Sequence, residues 1–133
     1  MNRPEHHGSC LCKAIRYTVT KFISGAIHCH CKTCQKAHSS AFSSVALAKV
    51  EAFQFTGENS LNSYRSSTNK TRYFCKECGS QIYAKYDNSN LIIVRLGTLD
   101  TSGLKEEKHI WTSQKVDWFS FTSELPFYET LNL

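Results

Sequence analysis

FCKECGS, residues 74–80, reads as a strand that runs into a tight CxxC turn. Gly79 follows the second cysteine, where a residue without a Cβ can take the positive φ that such a turn needs. Cys75 and Cys78 therefore read as a zinc knuckle, which supplies two thiolates where a closed tetrahedral site takes four. The CxC at Cys10 and Cys12 offers the other two, because residues i and i+2 of an extended segment point to the same side. Together Cys10, Cys12, Cys75 and Cys78 make a four-thiolate site that would fasten the N-terminal stretch to the middle of the chain.

HCHCKTCQ, residues 28–35, packs in the remaining thiols, Cys29, Cys31 and Cys34. Three protein ligands with a fourth position left for water or substrate are the pattern of a catalytic rather than a structural zinc. Spacing alone leaves two alternatives. Cys31 and Cys34 could join Cys75 and Cys78 as a zinc ribbon, with Cys10, Cys12 and Cys29 left over; or His28, His30 or His38 could close the three-thiolate set into a structural site. All seven cysteines fall within CxC, CxCxxC and CxxC groups. Seven is an odd number that cannot pair off within one chain, which argues for metal rather than disulfides.

Around these motifs, alternation outweighs helical periodicity. AIRYTV at 14–19 places Ile15, Tyr17 and Val19 on one face, and YRSSTNKTRYF at 64–74 reads as two strands about a Ser-Thr-Asn turn. LIIVRL at 91–96 is apolar and β-branched enough for a buried strand, and VALAKV at 45–50 and FQF at 53–55 extend the series. Short helices are expected only in TCQKAHSS, around and after Cys34, and near residues 104–109. His6 and His7, behind Asn2, Arg3, Pro4 and Glu5, read as part of a frayed terminus. One mainly antiparallel β domain over residues 1–133 follows.

With 133 residues, 41% hydrophobic, the chain can bury roughly two thirds of its unfolded surface and build a core without disulfides. No apolar run approaches the roughly 20 residues that cross a bilayer, and the start lacks the pattern of a signal peptide. A soluble, cytoplasmic protein with no membrane partner is expected. The formal charge of +5 suggests nucleic acid at first sight. Seven zinc-bound thiolates would remove seven charges and two zinc ions restore four, which leaves +2. The 16 Lys and Arg are also dispersed, so nothing marks a phosphate-binding stripe.

The order CxC, CxCxxC, CxxCG, with LGTLD and HIWTSQKVDW downstream, resembles the glutathione-dependent formaldehyde-activating enzyme family, also named for centromere protein V. The resemblance implies small antiparallel sheets stapled by zinc, a fold described as Mss4-like or a β-tent. It matches Cys10, Cys12, Cys75 and Cys78 to structural zinc ligands and Cys29, Cys31 and Cys34 to catalytic ones, two zinc ions per chain. The implied activity is that of a carbon–sulfur lyase or synthase acting on S-hydroxyalkyl adducts of a thiol with an aldehyde, glutathione and formaldehyde being the named case. The alternative is a non-catalytic, zinc-stabilised binding module for a protein or chromatin partner. This chain departs from the family pattern in three places. Lys13 follows the CxC where glycine is usual, Ser39 stands where a glycine commonly follows the second motif, and Gln35 replaces a frequent arginine. His28, His30 and Lys32 flank the three-thiolate set as candidates for proton transfer or carboxylate contact. Trp111, Trp118, Phe119 and Phe121 are candidates either for a ligand cleft or for the core.

Overall fold

A computed structural model describes residues 5–100 and 103–131; the MNRP of the terminus lies outside these. Two sheets make up the fold. The smaller joins β1 (His6–Ser9), β2 (Arg16–Val19) and β5 (Phe53–Thr56), all antiparallel. The larger has seven strands: β3 (Ala26–Cys29), β4 (Ser43–Lys49), β6 (Leu61–Ser67), β7 (Lys70–Cys75), β8 (Gln81–Tyr86), β9 (Leu91–Arg95) and β10 (Glu106–Ile110). They lie in the order β10-β3-β4-β9-β8-β7-β6. The single α-helix among the described residues, α1 (Lys32–His38), follows β3 directly.

Strands β4 and β9 form the middle of the large sheet, and their alternation feeds two separate cores. Ala48, Ile92 and Val94 face one side, where Ile15, Tyr17, Val19 and Phe53 of the small sheet cover them together with Cys10 and Cys75. Val45, Leu47 and Ile93 face the other side, against Ile27, Ala84, Cys29 and Cys34. Leu47 opposes Ile93 and Val45 opposes Arg95 across this β4–β9 pair. The sheet is thus a wall with one cysteine group on each face.

The mainly β fold of small antiparallel sheets matches the expectation, with two corrections. The stretch near 104–109 is strand rather than helix: β10 pairs parallel to β3, with His109 opposite His28 and Ile110 opposite Cys29. On its outer side His109 N–H donates to Pro126 O, and Tyr128 N–H donates to His109 O, each at 2.9 Å. Hydrogen bonding on both edges outweighs the helix preference of Lys105–Lys108, a difference of tenths of a kcal/mol per residue. The second correction concerns the N-terminal stretch. His6–Ser9 is a paired strand, not a frayed end, and a Cβ on Gly8 would lie 2.3 Å from the Tyr17 ring. Only glycine lets that ring close over the strand.

Candidate metal centres

The four-cysteine cluster joins two turns far apart in sequence. Cys10 and Cys12 sit in the turn after β1, where Lys13 N–H donates to Cys10 O at 3.1 Å and Lys13 takes φ 66°. The residue that stands in place of the usual glycine thus adopts the left-handed backbone that favours glycine. Cys75 ends β7, and Gly79 closes the knuckle with φ 81° and an N–H bond to Cys75 O at 2.7 Å, as the CxxCG reading requires. Leu11 N–H donates to Ser80 Oγ at 3.0 Å, which ties the two turns together directly. The four Sγ atoms lie within 4.8 Å of one another. The Cys10–Cys12 and Cys12–Cys75 sulfur separations are 3.7 Å and 3.8 Å. Metal–sulfur bonds of about 2.3 Å arranged tetrahedrally place neighbouring sulfurs about 3.8 Å apart, so the donor set fits a zinc-sized ion. A hydrogen bond from the Ser80 hydroxyl at 3.3 Å holds the Cys78 thiol down to about 5.

The three-cysteine cluster is local. Cys29 ends β3, Cys31 is the N-cap of α1, and Cys34 lies in its first turn. Cys34 N–H donates to Cys31 Sγ at 3.3 Å, so a sulfur does the capping that a Ser or Asp oxygen usually does. The three Sγ atoms lie within 4.8 Å of one another. Hydrogen bonds from Cys29 and Cys31 hold Cys34 far below the usual thiol range, while donation to Cys31 and then Cys34 pushes Cys29 far above it.

Among the described residues, no histidine or carboxylate joins either sulfur group at that spacing, and the alternative ribbon pairing is not formed. His28 is engaged by Ser44 Oγ at 2.8 Å and Glu106 Oε2 at 2.6 Å. His30 is buried, with Nε2 2.9 Å from His109 Nδ1; burial, followed by the nearby His109, lowers it to about 4. Burial, then Arg95, lowers His38 to about 4 as well. Gln35, in place of the frequent arginine, is buried, and its amide donates to His30 O at 2.7 Å and Gln114 O at 2.8 Å. It fastens α1 to the segment after β10. Ser39, the other departure, is the C-cap of α1 at φ 50°.

The three-cysteine group opens on a cavity of about 300 Å³. Trp111 lines it, Phe121 instead stacks on His30 and His109, and Trp118 is 68% exposed, so the aromatic segment divides among cleft, packing and surface. Three cations line the same cavity: Lys70, Arg72 and Arg95. Arg72 Nη2 donates to Cys34 Sγ at 3.8 Å. Burial lowers Arg95 to about 10, which leaves it charged at neutral pH, and burial lowers Lys70 too. Nothing in the sequence spacing brings this trio together. Each residue looked like an ordinary polar position of a strand, and only an arginine at the end of the apolar run LIIV hinted otherwise.

A mainly β protein with one complete and one three-membered cysteine cluster, each able to hold a metal ion, is the class that fold and site define. The chain belongs to the glutathione-dependent formaldehyde-activating enzyme family, whose model matches residues 5–114. An uncharacterized lyase of Schizosaccharomyces pombe is 35% identical over 85 residues, covering 64% of this chain and 61% of that protein. The chain thus spans about three fifths of that relative's length. The crystal structure of a Rhodobacter sphaeroides protein superposes with a TM-score of 0.62 at 21% identity, over 73% of this chain and 90% of that one. At that identity the likeness shows the fold alone. Among the described residues, no helix is long and apolar enough to cross a membrane.

Proposed function

We propose that the protein is a zinc-dependent carbon–sulfur lyase that forms and cleaves S-hydroxyalkyl adducts of an aldehyde with glutathione or a related thiol. One observation carries this reading beyond family membership: Cys29, Cys31 and Cys34 form a three-sulfur group without a fourth protein ligand among the described residues, and they line a cavity. The other group has all four sulfurs. In this reading Cys10, Cys12, Cys75 and Cys78 hold a structural zinc, and Cys29, Cys31 and Cys34 hold a second, catalytic one. Held there by Cys29, Cys31 and Cys34, zinc would supply an open coordination position suited to a substrate thiolate and Lewis acidity toward a carbonyl oxygen.

In the synthetic direction, sulfur bonds to the carbonyl carbon, the carbon–oxygen π bond opens, and the proton lost by the thiol ends on the new hydroxyl. The reverse breaks the same carbon–sulfur bond and returns thiol and aldehyde. The chain's own contribution is positioning. Cys31 caps the helix that carries Cys34, and Gln35 and Gln114 hold that helix against the rim, with Lys32 N–H donating to Gln114 Oε1 at 2.8 Å. Fixing sulfur and carbonyl in one cavity lowers the entropic part of the barrier.

The adduct also forms spontaneously, so the test follows exchange between free and adduct thiol by magnetisation transfer, using zinc-loaded protein, zinc-free protein and a protein-free control. The zinc-loaded protein is expected to accelerate exchange, and Cys31→Ser to match the control. Equal exchange in all samples would contradict the enzyme reading and favour the binding module.

A further inference from the structure

The cations of the cavity are more than the sulfur cluster requires. Lys70 and Arg72 are two positions apart on β7 and so lie on one side of the strand, and Arg95 at the end of β9 faces the same cavity. Arg72 and Arg95 are each only 3% exposed. Arg72 spends one N–H on Cys34 Sγ, yet Arg72 Nε and Nη1, Arg95 Nε and Nη2, and the buried Ser66 Oγ in the same wall have no protein partner among the described residues. Among the described residues, no Asp or Glu lines the cavity. Buried charge without a partner is costly and persists where a ligand supplies the counter-charge.

The charge count points the same way. Three thiolates with one zinc ion carry net −1, which a single cation would neutralise; three cations leave a surplus of two. An incoming thiolate accounts for one of these. A guanidinium edge presents paired N–H donors at the spacing of carboxylate oxygens, which suits the other to a carboxylate. We propose that Lys70, Arg72 and Arg95 form a carboxylate subsite, so that the substrate is a thiol bearing a carboxylate a short carbon chain away from sulfur. Arg72 sets that distance, since it touches Cys34 Sγ with one nitrogen and leaves the others free. The apolar wall of Val45, Leu47 and Ile93 takes the connecting methylenes. This inference rests on the thiol-handling reading above.

Two thiols of equal length test it, mercaptopropionate and its uncharged amide, mercaptopropionamide. Each is titrated into protein carrying cobalt(II) in place of zinc, whose absorption bands report sulfur entering the metal's coordination shell. The wild type is expected to bind the acid at least about tenfold more tightly than the amide, with both reaching the same final spectrum. In Arg95→Gln the preference is expected to shrink to about twofold or less while the amide's affinity holds. Lys70→Gln, at a half-buried position, makes the same comparison if Arg95→Gln does not load metal, and the wild-type comparison needs no variant. Equal affinities in the wild type would overturn the carboxylate subsite and leave the thiol reading standing. No spectral change with either thiol would overturn the thiol reading, and this inference with it.

Discussion

The two cysteine clusters use the same donor atom on opposite faces of one sheet, yet their relation to the fold differs. Cys12 and Cys75 are 63 residues apart, and their cluster joins the first turn of the chain to the β7–β8 knuckle beside the core of the small sheet. Cys29, Cys31 and Cys34 lie within six residues on one strand end and one helix start. A metal that closes a long loop offsets a large chain entropy, whereas one that closes a short loop in a preformed strand–helix turn offsets little. Identical chemistry can therefore serve a structural role on one face and an exchangeable one on the other, as proposed above, and the cavity lies on the face of the three-cysteine group.

Cys75→Ser is expected to have the greatest effect. Cys75 is fully buried, and a structural zinc contributes on the order of 10 kcal/mol to folding in small zinc modules. The variant is expected to lose its cooperative thermal transition by circular dichroism; an unchanged transition would remove this cluster from the structural role. Gly57→Ala probes the same side without touching a ligand. Gly57 has φ 96°, and a Cβ there would lie 2.0 Å from Ala14 O, close to the Cys10–Cys12 turn. A loss of about 2 kcal/mol or more is expected in denaturant unfolding, with metal content retained.

Ser39→Gly should have the smallest effect, and of opposite sign. Ser39 caps α1 at φ 50°, with its N–H on Gln35 O, a conformation glycine takes freely. Relief of that backbone is partly offset by glycine's greater freedom in the unfolded chain, so a gain of no more than about 1 kcal/mol is expected in the same unfolding assay. A loss of stability would mean that the hydroxyl or Cβ of Ser39 does something the backbone geometry does not show.

These positions also show what the sequence made legible. Metal-ligand motifs are local and strict in spacing, so the three cysteine groups are legible in CxC, CxCxxC and CxxC, but spacing leaves the ribbon of Cys31 and Cys34 with Cys75 and Cys78 open, and only the fold brings four and three sulfurs together. Strands such as β2 and β9 announced themselves by alternation or by a β-branched run. Strand β10 did not, because Lys105–Lys108 are helix formers and the parallel partner that overrides them lies some 80 residues earlier, at Ala26–Cys29. The departures at Lys13 and Ser39 marked left-handed turns that the chain keeps without glycine. The cation trio was invisible for the same reason as β10: Lys70, Arg72 and Arg95 meet only when β7 and β9 fold over one cavity.

The division of labour is tested most directly by zinc content and thermal unfolding measured together on Cys31→Ser. About one zinc per chain is expected against about two expected for the wild type, one for each cluster, with a cooperative transition retained within a few degrees of wild type. A variant that keeps both zinc ions, or that fails to fold as Cys75→Ser is expected to, would contradict it.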